Sequence, residues 1–450
     1  MASKSLGQLL HSVADRGREI LARRRDQREV RSIGNLCRDL MSERGEASGV
    51  ALAREVVEHF EGMDEGQRLA FFEFLDAEFS PDAAKVATAA GAYLDHRDAG
   101  TLLTLSRAVE SPRQEFVRRI NLAPNGTAAI VAMRASLLPL VERHPGLAQV
   151  DDDIRHVLRS WFNRGFLELR RIDWNTPAAL LEKLIEHEAV HEIRGWPDMR
   201  RRLEQDRRCF AFFHPALPDE PLIFVEVALL DALADSIESL LVLEGGSGDA
   251  ERANTAIFYS INNCQDGLRG ISFGSFLIKQ VVFDLVREQP RLRTFATLSP
   301  IPGFRAWLDR LDKAPDKVPD KTTSKADDGG LEAEELDAVA ALGRSGWQRD
   351  AETADSLKEP LLHLCARYLL EAKEGREPRD RVARFHLGNG ARVERLNWLA
   401  DPSQKGLRQS AGIMANYAYP PSRIEKNHEA YVKSGRVAAS AAVRALARRK

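Results

Sequence analysis

The sequence predicts an α+β protein in two parts, an all-helical N-terminal domain over residues 1–164 and a mixed α/β domain with helical insertions over 165–450. Three observations predict it. Apolar residues recur at helical spacing through the first third, with few β-branched runs. Short β-branched and aromatic runs bounded by Pro, Gly or Asn begin near Trp161. Between Ala256 and Leu298 the order is strand, glycine-rich loop, helix, strand, a βαβ unit. A chain of 450 residues, 44% hydrophobic and 29% charged, has ordinary globular composition and the length of two to three domains.

The helical part opens with Leu6, Leu9, Leu10, Val13, Ile20 and Leu21, and residues 51–60, 67–79 and 127–142 repeat the pattern. Pro81, Pro112, Pro124-Asn125-Gly126 and Pro145-Gly146 punctuate it as helix starts or stops. It holds no catalytic cluster and no fixed-period repeat. Arg23, Arg24, Arg25, Arg28 and Arg31 read as a solvated basic helix face, and a net charge of −2 gives no pull toward nucleic acid or a membrane. Residues 1–25 are amphipathic and Arg-rich in the manner of a transit peptide, but Asp15, Glu19 and Asp26 argue against that reading. No run reaches the roughly 18 apolar residues that span a bilayer. Arg448-Arg449-Lys450 is not a peroxisomal address. Cys37, Cys209, Cys264 and Cys365 lie far apart with no CxxC pair, which predicts neither a zinc ribbon nor a disulfide framework and suits a reducing cytoplasm.

In the mixed part, residues 209–214, 222–229, 256–262 and 293–298 read as strands, and 274–287 as the amphipathic helix between the last two. Residues 312–330 are Lys, Asp, Pro, Thr, Ser and Gly with almost no apolar content, the composition of a mobile loop. Helices resume at 331–342 and 353–372, and 411–419 reads as a last strand.

Five segments carry chemistry. His187-Glu188-Ala189-Val190-His191 matches His-Glu-x-x-His, two imidazoles one helical turn apart beside a glutamate, the arrangement of a zinc hydrolase. That motif needs a sustained helix and a third ligand; Arg194-Gly195-Trp196-Pro197 breaks the helix, and only Glu204 or Asp206 stands nearby, so a polar helix end is the plainer reading. Residues 265–274, glycine-rich between strand and helix, offer backbone N–H groups and a helix N-terminus to a pyrophosphate, without being a Walker loop or a Rossmann fingerprint. Leu298-Ser299-Pro300-Ile301-Pro302-Gly303-Phe304 sets one hydroxyl on a backbone stiffened by two prolines. Phe385-His386-Leu387-Gly388-Asn389-Gly390-Ala391 places a histidine in an apolar, glycine-rich turn, where Asn389 is a partner for a carbonyl or for the imidazole. Residues 410–419 end in two phenols, Tyr417 and Tyr419.

These segments, with Trp161-Phe162, Gly165-Phe166-Leu167, His214-Pro215, Glu220-Pro221-Leu222, Val227-Ala228-Leu229, Ala256-Ile257-Phe258-Tyr259-Ser260-Ile261, Phe276-Leu277-Ile278-Lys279, Arg395-Leu396-Asn397-Trp398 and Asn416-Tyr417, occur in one order along the chain. In that order the chain resembles the malonyl-CoA decarboxylase family; the helical third matches more loosely, through Ala123-Pro124 and Gly126. The resemblance implies a helical oligomerisation domain followed by a catalytic domain of the GNAT acyltransferase fold. It implies conversion of malonyl-CoA to acetyl-CoA and CO₂ without metal or organic cofactor, within fatty acid metabolism; the helical domain without chemistry adds the expectation of a homo-oligomer, dimer or tetramer, and the cysteine usage that of a cytoplasmic protein. It assigns the catalytic serine to Ser299, the proton-donating histidine to His386, and the acyl-CoA loop to Arg269, Gly270, Ile271, Ser272, Phe273, Gly274 and Ser275; Asn389 and Tyr419, on their own chemistry, are further candidates for positioning the substrate. The family often has an acidic residue where this chain has Ser272.

The chemistry stands on its own terms. Losing CO₂ from a malonyl thioester leaves electrons on the α-carbon, and the adjacent thioester carbonyl receives them, so the protein supplies geometry, donors near the thioester oxygen, and an acid. The alternatives are a GNAT-type CoA-dependent acyltransferase, with Glu226 as amine base, and a zinc metallohydrolase using His187 and His191.

Overall fold

A computed structural model describes residues 32–42, 45–243, 249–271, 277–312 and 331–448. The stretch 6–21, the basic cluster at 23–31, Ser272, Phe273, Gly274 and Ser275 of the glycine-rich loop, and residues 313–330 of the expected mobile loop lie outside them. By contact the chain divides into two units: one holds the N-terminal residues to Glu168, Phe213–Leu222 and the stretch from Asn263 into the glycine-rich loop, and the other holds the rest.

The first unit is helical, and local side chains set its boundaries. Asp64 and Gln67 form a reciprocal capping box at the start of Glu65–Glu78, Asp98 caps Ala99–Val109, and Ser111 followed by Pro112 opens Pro112–Ile120. Asn125, at φ 59°, turns the chain into helix α1, Gly126–Arg143. The expected helices at 51–60, 67–79 and 127–142 are therefore present, at Glu46–Glu61, Glu65–Glu78 and Gly126–Arg143, each starting earlier than expected and the second stopping before the cap residue Phe79. Phe60, Phe71, Phe72, Phe79 and Phe116 pack ring against ring in the core. No helix among the described residues is long and apolar enough to cross a membrane.

The second unit is built on a mixed sheet, which among the described residues has eight strands. They are β1 Glu168–Ile172, β2 Arg207–Phe213, β3 Ile223–Leu230, β4 Thr255–Asn263, β5 Thr294–Thr297, β6 Ser299–Pro300, β7 Arg392–Asn397 and β8 Met414–Ala418. β2 and β3 pair antiparallel and are buried along almost their whole length, hence their near-continuous apolar sequences. β4 and β5 pair in parallel across helix α2, Leu277–Glu288, which is the expected βαβ unit. Strand β8 runs antiparallel to β5, β6 and β7. Ile257, Ala296, Leu298 and Met414 share one buried cluster.

Three local expectations change. The last strand begins at Met414 rather than 411, because Ala411 and Gly412 are left-handed, at φ 52° and 77°, and end the preceding helix instead. Residues 385–391 are not all turn: His386 lies in the last turn of a short helix, α3, Arg381–Gly388. The His-Glu-x-x-His segment is not helical beyond its first residue. Helix Ala178–His187 stops there, and Glu188 folds back to accept the N–H groups of Val190 at 2.8 Å and His191 at 2.7 Å.

Candidate active site

Strands β5 and β6 form one line interrupted at Leu298, and the interruption makes the site. Ala418 of β8 stands opposite Ala296, and Ala415 opposite Ser299. Between these pairs side chains take over the ladder: the Asn416 amide donates to the Thr297 carbonyl at 2.9 Å, and the Tyr417 N–H reaches Thr297 Oγ1 at 3.3 Å. Leu298 donates its N–H to Phe258 on β4 at 3.1 Å. Ser299 is thereby fixed on a short strand piece, largely buried, with the Thr297 hydroxyl two residues back on the same face.

Ser299 Oγ donates to Thr297 Oγ1 at 2.8 Å and lies 3.0 Å from His386 Nε2. On the other side of the imidazole, Nδ1 is 2.7 Å from the Tyr419 hydroxyl. The Tyr417 ring stacks on the imidazole with centroids 4.5 Å apart. Tyr417 and Tyr419 reach the same ring because alternate residues of an extended chain share a face. With Ser299 donating to Thr297, the imidazole proton is assigned to Nε2 and Tyr419 donates to Nδ1.

His386 is 2% exposed, and burial pulls its pKa down to about 3. The ring is neutral at pH 7. Burial also pushes the Tyr419 phenol well above its usual range, keeping it a donor. A buried neutral histidine makes stability fall as pH drops from the unfolded value near 6.5 toward 3, since the unfolded chain takes up a proton that the folded one refuses. Between pH 7 and pH 5 that linkage removes about 2 kcal/mol. His386→Asn is therefore expected to lose about 2 kcal/mol less than the parent protein over that interval in urea unfolding; equal losses would contradict it.

The two segments that meet here share an anchor. Asp380 is 1% exposed and caps α3, its Oδ1 accepting the N–H groups of Val382 and Ala383, both at 2.9 Å. Its Oδ2 accepts the N–H of Gly303, in the serine segment, at 3.2 Å and faces the Tyr368 hydroxyl at 3.5 Å. Burial raises this carboxyl's pKa, and the three N–H donors oppose the shift. Gly303 is glycine for want of room: a Cβ there would lie 2.2 Å from the Tyr368 hydroxyl. Asp380→Asn keeps a carbonyl oxygen for the cap but turns an N–H donor toward Gly303. It is expected to lower turnover by about tenfold to a hundredfold with KM little changed. A steady-state comparison checks this, and a kcat within twofold of the parent would show that the anchor does not position the pair.

Of the residues expected from sequence, Ser299, His386 and Tyr419 form one hydrogen-bonded line. Asn389 caps the same helix, its amide donating to the Phe385 carbonyl at 2.7 Å; its buried Oδ1 meets no donor among the described residues. The partner of the imidazole is thus Tyr419 and not Asn389. Arg269, Gly270 and Ile271 belong to the first unit, and Ser272 to Ser275 lie outside the described residues. Sequence reasoning missed Thr297, the stacking of Tyr417 on the imidazole, and Asp380. The first two carried a signal, lying two residues from Ser299 and from Tyr419 in extended segments; the third reads only as an N-cap.

The alternative chemistries lose their residues. Glu226 is 1% exposed with Oε2 held by Arg202 at 2.5 Å, so it is no open base for an amine, although burial lifts it to about 8. Glu188 binds the Ser260 hydroxyl and the Asn262 amide, each at 2.7 Å, and works as a turn anchor. His187 and His191 do not share a helical face, and no group of three or more metal-ligating side chains occurs among the described residues.

Residues 165–450 match the family model of the malonyl-CoA decarboxylase C-terminal domain, and residues 79–162 that of the malonyl-CoA decarboxylase N-terminal domain. The mitochondrial malonyl-CoA decarboxylase of Anser anser anser is 33% identical over 408 residues, covering 86% of this chain and 81% of that protein. Its counterpart from Rattus norvegicus is 37% identical over 342 residues, covering 73% and 69%. The crystal structure of malonyl-CoA decarboxylase from Rhodopseudomonas palustris has 51% identity and a TM-score of 0.86, covering 92% of this chain and 98% of that one. The Agrobacterium vitis structure has 47% identity and a TM-score of 0.86, covering 93% and 100%.

Proposed function

Since the chain belongs to the malonyl-CoA decarboxylase family and is an enzyme of that kind, we propose that Ser299 and His386 carry out the decarboxylation of malonyl-CoA to acetyl-CoA and CO₂. The observation that carries the reading is the buried line Tyr419–His386–Ser299, with contacts of 2.7 and 3.0 Å. Ser299 hydrogen-bonds the substrate carboxylate and holds the breaking Cα–CO₂ bond perpendicular to the thioester plane. The bond's electrons pass into the thioester carbonyl, giving an enolate and CO₂. N–H donors at the enolate oxygen stabilise it by about 3 to 4 kcal/mol each.

One proton then completes acetyl-CoA. Ser299 gives its hydroxyl proton to the α-carbon as His386 replaces it from Nε2 and Nδ1 takes the Tyr419 proton; the phenolate this leaves is short-lived, since burial disfavours it, and takes a proton back from solvent, so no imidazolium forms. The low pKa of His386 supports this order. Solvent restores the proton consumed. In D₂O the acetyl-CoA formed early in the reaction carries one deuterium per CO₂ released; acetyl-CoA without solvent deuterium would overturn the relay.

The same reading takes the second unit as the GNAT-like catalytic part and residues 269–275 as the acyl-CoA loop. The helical part serves self-association into a dimer or tetramer, supported by Leu94, Leu102, Leu103 and Val109, which are exposed on two neighbouring helices. None of the four cysteines forms a disulfide, which fits a reducing compartment, the cytoplasm in this reading.

A further inference from the structure

Arg134, on α1, is a buried cation with four hydrogen bonds. Its Nε is 2.7 Å from Asp151 Oδ1 and its Nη2 3.4 Å from Oδ2, a forked ion pair that balances the charge. Its Nη1 donates to two carbonyls of the glycine-rich loop, Gly267 at 2.7 Å and Arg269 at 2.8 Å. The loop also sits directly on α1: a Cβ at Gly267 would lie 1.9 Å from the Val131 carbonyl oxygen, so only glycine permits this approach.

The backbone turns these contacts into a direction. Within the loop the N–H groups of Leu268, Arg269 and Ile271 bond back to Gln265, Asp266 and Leu268, each at 3.0 Å. The N–H of Gly270 has no such acceptor among the described residues. In a planar trans peptide the C=O of one residue and the N–H of the next point to opposite sides. Drawing the Arg269 carbonyl toward Arg134 therefore aims the Gly270 N–H away from α1, and Gly270, at φ 77°, lets the chain turn there.

We infer that Arg134 is a positioning residue for substrate binding, a strut from the helical part that holds the Gly270 N–H in the orientation that receives a phosphate of the CoA moiety. This rests on the reading of the loop as the acyl-CoA loop. Arg134 acts through the loop rather than on the substrate, four of its five guanidinium N–H donors serving Asp151 and the two carbonyls.

The test is a split between binding and turnover with malonyl-CoA. Arg134→Gln is expected to raise KM about tenfold to a hundredfold while kcat stays within about twofold, and to weaken calorimetric binding of free CoA by the same factor. Arg134→Lys, which keeps a donor for a carbonyl, is expected to fall between. An unchanged KM in Arg134→Gln, or a loss in kcat alone, would overturn the inference; should that variant fail to fold, Arg134→Lys decides by the same criterion. Gly270→Pro, which removes the N–H and also cannot keep the φ of 77°, separates the two levels. Unchanged KM there overturns the loop reading and the inference with it, whereas raised KM there beside unchanged KM in Arg134→Gln overturns the inference alone.

Discussion

His386→Ala lowers kcat for release of CO₂ from malonyl-CoA by about a hundredfold to ten thousandfold, the range of a general acid in the transition state. The histidine has no other visible employment: its two nitrogens meet Ser299 and Tyr419, and its face meets Tyr417. Truncation leaves a cavity and strips the Tyr419 hydroxyl of its acceptor, so folding is checked alongside turnover by circular dichroism. The more conservative His386→Asn keeps a polar group at the end of α3 yet has no nitrogen at both positions, and should be as slow. Because CoA affinity comes from elsewhere in the reading, KM stays within a few-fold. Near-parental CO₂ release from folded His386→Ala would remove this residue from the mechanism.

Ser299→Ala lowers kcat by about a hundredfold to a thousandfold, as expected for loss of one well-placed donor in a water-poor site. The substitution is sterically mild, removing one oxygen from a side chain that is 7% exposed. It breaks the hydrogen bond to His386 and the one to Thr297, so the orientation of the carboxylate and the proton path fail together. Binding of free CoA, measured calorimetrically, should be retained. The double variant Ser299→Ala/His386→Ala should fall little below the slower single variant, because residues acting as one unit are strongly non-additive. Multiplicative losses would mean that the two side chains act independently.

Much of the fold was legible because burial wrote it into composition. Strands β2, β3 and β4 are buried on both faces and read as continuous apolar runs, and the prolines and asparagine that punctuate the helical part stand at real helix starts. Strand β1, Glu-Leu-Arg-Arg-Ile with one buried residue, carried no such pattern and was invisible. Strand β7 also escaped, since Arg-Val-Glu-Arg-Leu-Asn holds only two apolar residues with two charges between them, and its register against β8 shifts at Asn416/Tyr417.

The site was legible in its endpoints more than in its connections. Ser299, His386 and Tyr419 stood out as a hydroxyl between prolines, a histidine among glycines and a phenol at a strand end. What joins them depends on contacts between distant segments. Asp380 looks like any helix cap until the Gly303 N–H arrives from 77 residues earlier. The His-Glu-x-x-His segment is the polar helix end that its sequence favoured, for a converse reason: spacing implies a shared face only inside a helix, and Glu188 ends the helix by capturing the N–H groups of Val190 and His191.

The most direct measurement follows CO₂ and acetyl-CoA together when the purified, metal-stripped protein is mixed with malonyl-CoA. The account predicts that both form in equal amounts with the parent protein, and that Ser299→Ala and His386→Ala, folded and still able to bind CoA, form them at least about a hundredfold more slowly. Absence of turnover by the folded parent protein, or turnover that survives both substitutions, would contradict it.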